Sequence, residues 1–179
     1  SNTDLHIPAG TSSRLEAGGA AVGVAVDIDA EMRNATTPDI GADEFAGQPA
    51  PAHDMAAVVL VTPANGATLP TGGNFSPQAK FVNAGTSAET NVTGRYRIFD
   101  AMMGPVYNQT AIIATIAPLQ GVTATFPSTS ITTPGTYTIQ ASVELMGDLN
   151  ATNDSISGTI NAVAPLGGSI GVGTGQAYT

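Results

Sequence analysis

Between residues 55 and 163 the sequence is a train of short, β-branched apolar runs, each closed by turn residues, and this spacing restricts the fold more than any other feature. The runs fall at 58–62, 78–82, 92–99, 106–116, 122–126, 137–145 and 155–163. Most are too short for helices, and Thr, Val and Ile suit a pleated, half-buried surface. In the sixth run Tyr137, Ile139, Ala141, Val143 and Leu145 share one face, with Thr136, Thr138, Gln140, Ser142 and Glu144 on the other. In the third, Val92, Gly94, Tyr96 and Ile98 oppose Thr93, Arg95, Arg97 and Phe99. A period of two with one apolar face means a sheet buried on one side and wet on the other. Seven such strands, with Asn65-Gly66 and Pro134-Gly135 as turns, predict a two-sheet β-sandwich.

Composition agrees with an all-β chain. Only 5% of residues are aromatic and Trp is absent, so the core must come from Val, Ile, Leu and Ala. Charged residues are 11%, against roughly 25% in ordinary globular domains, while 21 Gly and 12 Pro punctuate the sequence. Five basic residues against fourteen acidic ones give a formal charge of −9. Phosphate backbones are bound by basic side chains, so nucleic-acid binding is excluded as a function class. An anionic membrane would repel this surface, and no apolar run approaches the ~20 residues of a spanning helix. There is no Cys, hence no disulfide. Residues 1–15 carry neither a basic start nor an apolar stretch, so an export signal is expected to lie outside this sequence.

The remaining segments differ in character. Residues 1–45 hold eight of the fourteen acidic residues, and Val22, Val24 and Val26 alternate with Gly23 and Ala25 as one short strand would. Residues 46–54 open with Ala-Gly-Gln-Pro-Ala-Pro-Ala, which has no periodicity and reads as a fairly stiff linker. Residues 164–179 are rich in Gly and poor in charge, with Ile170 and Val172 offering one strand: a linker or the start of a further module.

Two resemblances attach to these divisions. Asp4-Leu5-His6-Ile7, then Gly23-Val24-Ala25-Val26-Asp27-Ile28-Asp29, Arg33 and Asp39-Ile40-Gly41-Ala42-Asp43-Glu44-Phe45, resemble the closing coils of secreted right-handed parallel β-helix proteins from Bacteroidetes-like bacteria. That family usually has Gly where Ala30 stands and Pro where Asn34 stands. The stretches FVNAGTSAETNVTGRYRIFD and GTYTIQASVELMGDLNATNDSISGTI resemble the immunoglobulin-like adhesion modules called CARDB. The last thirteen residues resemble the opening of another β-helix module. Together the resemblances imply an immunoglobulin-like β-sandwich (55–163) preceded by terminal coils of a parallel β-helix (1–45). They further imply a repeat of a large adhesin or filament, exported by the type IX route, displayed extracellularly at the cell surface and partnered by neighbouring copies or surface glycans.

Catalytic constellations are hard to assemble from these residues. The two histidines are His6 and His53, and neither a Cys nor a Gly-x-Ser-x-Gly elbow is present. His53 beside Asp54 reads as a solvated pair, and Gly171-x-Gly173-x-Gly175 lacks the strand and helix of a nucleotide loop. No catalytic, cofactor-binding or metal residue is therefore assigned. Calcium is the one cation entertained: Asp27, Asp29 and Glu31 alternate along a chain that, if extended, points three carboxylates one way, although solvated corner residues are the preferred reading. Asp148, Asn150, Asn153 and Asp154 form a second oxygen-rich turn with the same two readings. The Asn-x-Ser/Thr triplets follow from composition and are not taken as glycan sites. Asp154-Ser155-Ile156 resembles the Bacteroidetes O-glycosylation acceptor, which makes Ser155 the modification candidate.

The expectation is a non-enzymatic structural or adhesive repeat module. The rival is an accessory or terminal part of a secreted, polysaccharide-active β-helix enzyme. A carbohydrate-binding module would display aromatic rings, and most of the four Tyr and five Phe lie in strand-like runs where core packing is the default.

Overall fold

A computed structural model of the chain describes residues 6–165. The expected strand at Ile170 and Val172 and the glycines at 171, 173 and 175 lie outside the described residues. Within them all regular structure is strand: β1 (Ser12–Ser13), β2 (Gln48–Pro49), β3 (Met55–Thr62), β4 (Thr68–Pro70), β5 (Asn74–Phe75), β6 (Gln78–Asn83), β7 (Glu89–Phe99), β8 (Pro105–Ile116), β9 (Gly121–Thr125), β10 (Thr129–Ser130), β11 (Gly135–Glu144) and β12 (Ser155–Val163).

Two sheets face one another. One is five-stranded in the order β4-β12-β11-β7-β8, the other three-stranded in the order β3-β6-β9. Each of the seven runs read from sequence is a strand. The alternation holds on both central strands: Tyr137, Ile139, Ala141 and Val143 of β11 and Val92, Tyr96 and Ile98 of β7 are buried against Leu60, Ala79, Phe81 and Ala124 of the other sheet. Antiparallel register sets Ile139 against Ile98 and Ala141 against Tyr96, so the two inner faces fall in step. Gly94 keeps this interior close: a Cβ there would stand 3.1 Å from the Phe81 ring, and the ring would have to give way. The wet face carries Arg95, whose guanidinium donates across β11 to Glu144 at 2.5 Å.

Besides β1 and β2, three short strands went unread in the sequence. β5 and β10 pair with each other at the rim, and β4 runs parallel to the end of β12, Thr68 against Asn161 and Pro70 against Val163. β4 follows the Asn65-Gly66 turn, which carries the chain from one sheet to the other. Gly66 takes φ +81°, its N–H donates to Thr159 O at 2.7 Å, and Asn65 Oδ1 accepts from Thr159 N at 2.8 Å. The side chain of Asn65 thus does for β12 what a neighbouring strand does further along.

One expectation about the first third of the chain is corrected. The strand at Val22, Val24 and Val26 does not form: a tight reversal does, with Asp27 N donating to Glu31 O and Arg33 N to Ala25 O, and one isolated bridge joins Val26 to Met32. The three valines remain 81%, 58% and 42% exposed. Alternation alone gives a strand no partner for its backbone groups, and here those groups close locally instead. Residues 46–54, read as a fairly stiff linker, are hydrogen-bonded on both sides. β2 pairs in parallel with β1, Gly10 N donates to Ala46 O, and on the other side Thr86 N and Ser87 N donate to Pro51 O and Ala52 O. Arg14 adds guanidinium hydrogen bonds to Ala84 O and Gly85 O of the sandwich, so the first segment is fastened to the sandwich rather than tethered by it.

Candidate functional site

Two polar clusters stand out from the apolar frame. The first closes the end of the sandwich where the chain comes in. Asp54 is almost wholly buried, not solvated as the sequence suggested, and its carboxylate accepts from Asn153 Nδ2 at 2.8 Å and Asn150 Nδ2 at 3.4 Å. Asp148 accepts from Met55 N and Asn150 N, both at 2.8 Å. His53 turns away from Asp54 and meets the buried Glu89, Nδ1 to Oε1 at 2.7 Å. The oxygen-rich turn is thereby a clasp: its carboxylates spend their lone pairs on backbone N–H groups and amides that join residues 53–55 to 148–154. Burial pushes the Asp154 carboxyl above its ordinary range, and the nearby charges of Asp148 and Asp54 push the same way. Asp154 Oδ1 and Asn153 Oδ1 are both buried without a hydrogen-bond partner.

The second cluster lies in the first segment. Asp27, Asp29 and Glu31 do not aim their carboxylates together, because the chain turns there, with Ala30 at φ +67°. Asp27 Oδ1 accepts from the backbone N–H of Asp29 and of Glu31, at 2.9 and 2.8 Å, and its Oδ2 accepts from Glu44 N at 3.1 Å. Burial works to raise the Asp27 carboxyl, but these three N–H donors and the charge of Arg33 outweigh it and hold it below the usual carboxylate range. Asp27 is therefore a corner residue, and the three-carboxylate calcium set is not assembled. Arg33 binds Glu44 Oε2 at 3.3 Å, Gly41 O at 2.9 Å and Asp39 O at 2.5 Å, while the buried Asp39 accepts from Ala17 N and Phe45 N. These bonds fix the loop 39–44 against the turn 27–33.

That fixation brings together residues the sequence reading kept apart. His6 Nε2 stands 2.5 Å from Asp29 Oδ2 and 4.0 Å from Asp43 Oδ1, and one ligand atom from each of the three lies within 4.8 Å of the others. His6 and Asp29 are exposed, and Asp43 is about a quarter exposed. Separations of 23 and 37 residues form no local motif. The only signal was that all three belong to the ordered set resembling the end of a β-helix.

Ser155 is exposed at the start of β12, opposite Ser142 in the register.

No protein-family model matches the chain, and no curated protein sequence matches it. Among solved structures, the chain is similar to the CARDB domain of a Pyrococcus furiosus protein in solution: TM-score 0.50 at 17% identity, over 64% of this chain and 99% of that domain. A crystal structure of the same Pyrococcus domain, in complex with two metal ions, gives 0.48 at 18% identity, over 62% and 89%. A domain of a protein assigned to the cell surface of Methanosarcina acetivorans gives 0.47 at 16%, over 65% and 97%. The likeness is one of fold: the chain is all-β and carries an immunoglobulin-like sandwich of the CARDB kind.

Proposed function

We propose that the chain is a non-enzymatic structural or adhesive module of a bacterial cell-surface or extracellular protein, repeated end to end along a fibre. The observation that carries this reading is where the chain joins the sandwich. β3 and β12 run the same way: Ala57 N, near the start of β3, donates to Asn153 O just before β12, and Thr71 N donates to Val163 O at the end of β12. Nine residues of strand span about 30 Å, so the chain comes in at one end of the sandwich and leaves at the other. Such a layout suits modules in series, where a hairpin layout with both termini at one end would not. The clasp at Asp54 and Asp148 and the Arg14 anchor stiffen the joint on the incoming side. Within this reading, export by the type IX route, neighbouring copies as partners and Ser155 as an O-glycan acceptor remain part of the proposal.

Two consecutive units, expressed together and compared with one unit by small-angle X-ray scattering, test it. End-to-end modules should nearly double the maximum dimension. A two-unit particle about as long as a single one would overturn the serial arrangement, and a parent gene with one long β-helix and a single sandwich would favour the enzyme accessory instead.

A further inference from the structure

We infer that His6, Asp29 and Asp43 form a binding site for one divalent transition-metal ion of the zinc type, on the first segment and separate from the sandwich. The donor set carries the assignment. One imidazole nitrogen and two carboxylate oxygens suit Zn²⁺ and its neighbours, whereas Ca²⁺ takes six to eight oxygens and has little use for a ring nitrogen.

Geometry is near what an ion needs. Two ligands about 2.1 Å from a tetrahedral ion are roughly 3.4 Å apart, so an ion fits if the 2.5 Å contact of His6 with Asp29 opens by about 1 Å while the 4.0 Å gap to Asp43 closes by less. The two carboxylates come from segments that the fold already fixes. Asp29 follows the turn pinned by Asp27, Asp43 lies in the loop gripped by Arg33, and Ile28 N donates to Ala42 O at 2.9 Å between them. Three protein ligands leave a fourth position for water or for a donor from another molecule.

Local charge points the same way, independently of the spacing. Residues 6–45 hold seven acidic side chains, Glu16, Asp27, Asp29, Glu31, Asp39, Asp43 and Glu44, against two basic ones, Arg14 and Arg33. Arg14 is committed to the carbonyls at 84 and 85, and Arg33 to Glu44 and the carbonyls at 39 and 41. Among the described residues neither Asp29 nor Asp43 is bridged by Lys or Arg. An exposed His–Asp pair contributes little by itself, so giving it up to a doubly charged ion costs little.

The site is distinguishable from its alternatives by titrating the full chain with Zn²⁺ and, separately, with Ca²⁺, following heat release and the imidazole resonances of both histidines. One Zn²⁺ should bind, the His6 ring signals should shift while those of His53 stay, and Ca²⁺ should produce neither effect. His6→Ala and Asp43→Asn should each weaken Zn²⁺ by at least ~10-fold, while His53→Ala leaves it unchanged. The melting temperature of the sandwich without metal should be the same in the parent, His6→Ala and Asp43→Asn, which separates loss of a ligand from loss of fold. Undetectable Zn²⁺ binding, binding that survives His6→Ala, or a preference for Ca²⁺ would each overturn the assignment.

Discussion

Tyr96 holds the centre of the core. Its ring is fully buried, tilted 52° against Phe126 at 5.5 Å and edge-on to Tyr107 at 6.4 Å, and its hydroxyl is buried without a partner. An orphaned hydroxyl costs about 1–3 kcal/mol, so Tyr96→Phe should leave stability unchanged or raise it by up to about 1 kcal/mol in a denaturant melt. A loss above about 1 kcal/mol would mean the hydroxyl is bonded. Burial also drives the Tyr96 hydroxyl far up in pKa, helped by Tyr107, and pushes Tyr107 up to about 12. The sign follows from which state releases the proton first. Well below pH 10 both the folded and unfolded chains keep both protons, so these groups give no pH dependence; as the pH rises through the ordinary value of 10.0 only the unfolded chain ionises, and stability falls until the pH passes the folded values. Tyr96→Phe should therefore show a shallower loss than the parent between pH 10 and 12. Tyr107 has a ready partner, Pro127 O at 2.6 Å, which is why the two hydroxyls part company in this test.

At the scale of elements, the strands were legible and their company was not. β7 and β11 announce themselves because period-two alternation over eleven and ten residues leaves one possible inner face. β4, β5 and β10 have two or three residues each and owe their pairing to β12 and to one another, information that no local pattern holds. Val22 to Val26 erred in the other direction, since a strand pattern without a neighbour is not a strand. The oxygen-rich turn was found but its meaning was not, because the partners of Asp148 and Asn153 are Met55 and Asp54, more than ninety residues away. That clasp also makes a prediction. Asp154, with its raised carboxyl, is favoured in the folded state when protonated; its contribution is complete below the ordinary value of 3.8 and is lost as pH rises through the folded value. Asp154→Asn should thus be more stable than the parent at pH 7, and thermal melts should show the gap closing as the pH is lowered toward 3. A constant gap would point to packing and not to charge.

For the molecule as a whole, the joint between first segment and sandwich rests on few bonds, and Arg14 is the only described side chain of residues 6–45 that reaches the sandwich by a hydrogen bond. Arg14→Ala should speed amide exchange at residues 46–52 several-fold while leaving the melting temperature of the sandwich in place; a matching fall in both would mean that the two parts unfold as one. The basic residues have a further bearing on survival outside a cell. Of the five Lys and Arg, Lys80 sits mid-way along β6, and Arg95 and Arg97 along β7, each strand being hydrogen-bonded on both flanks. A trypsin-like protease must draw an extended stretch of chain into its cleft, and these stretches come loose only when a sheet opens. Digestion should stop after Arg14 and Arg33, leaving residues 34–179 as a resistant remnant on a gel: scarcity and placement of cationic side chains would give the sandwich a long life among trypsin-like enzymes without a single disulfide.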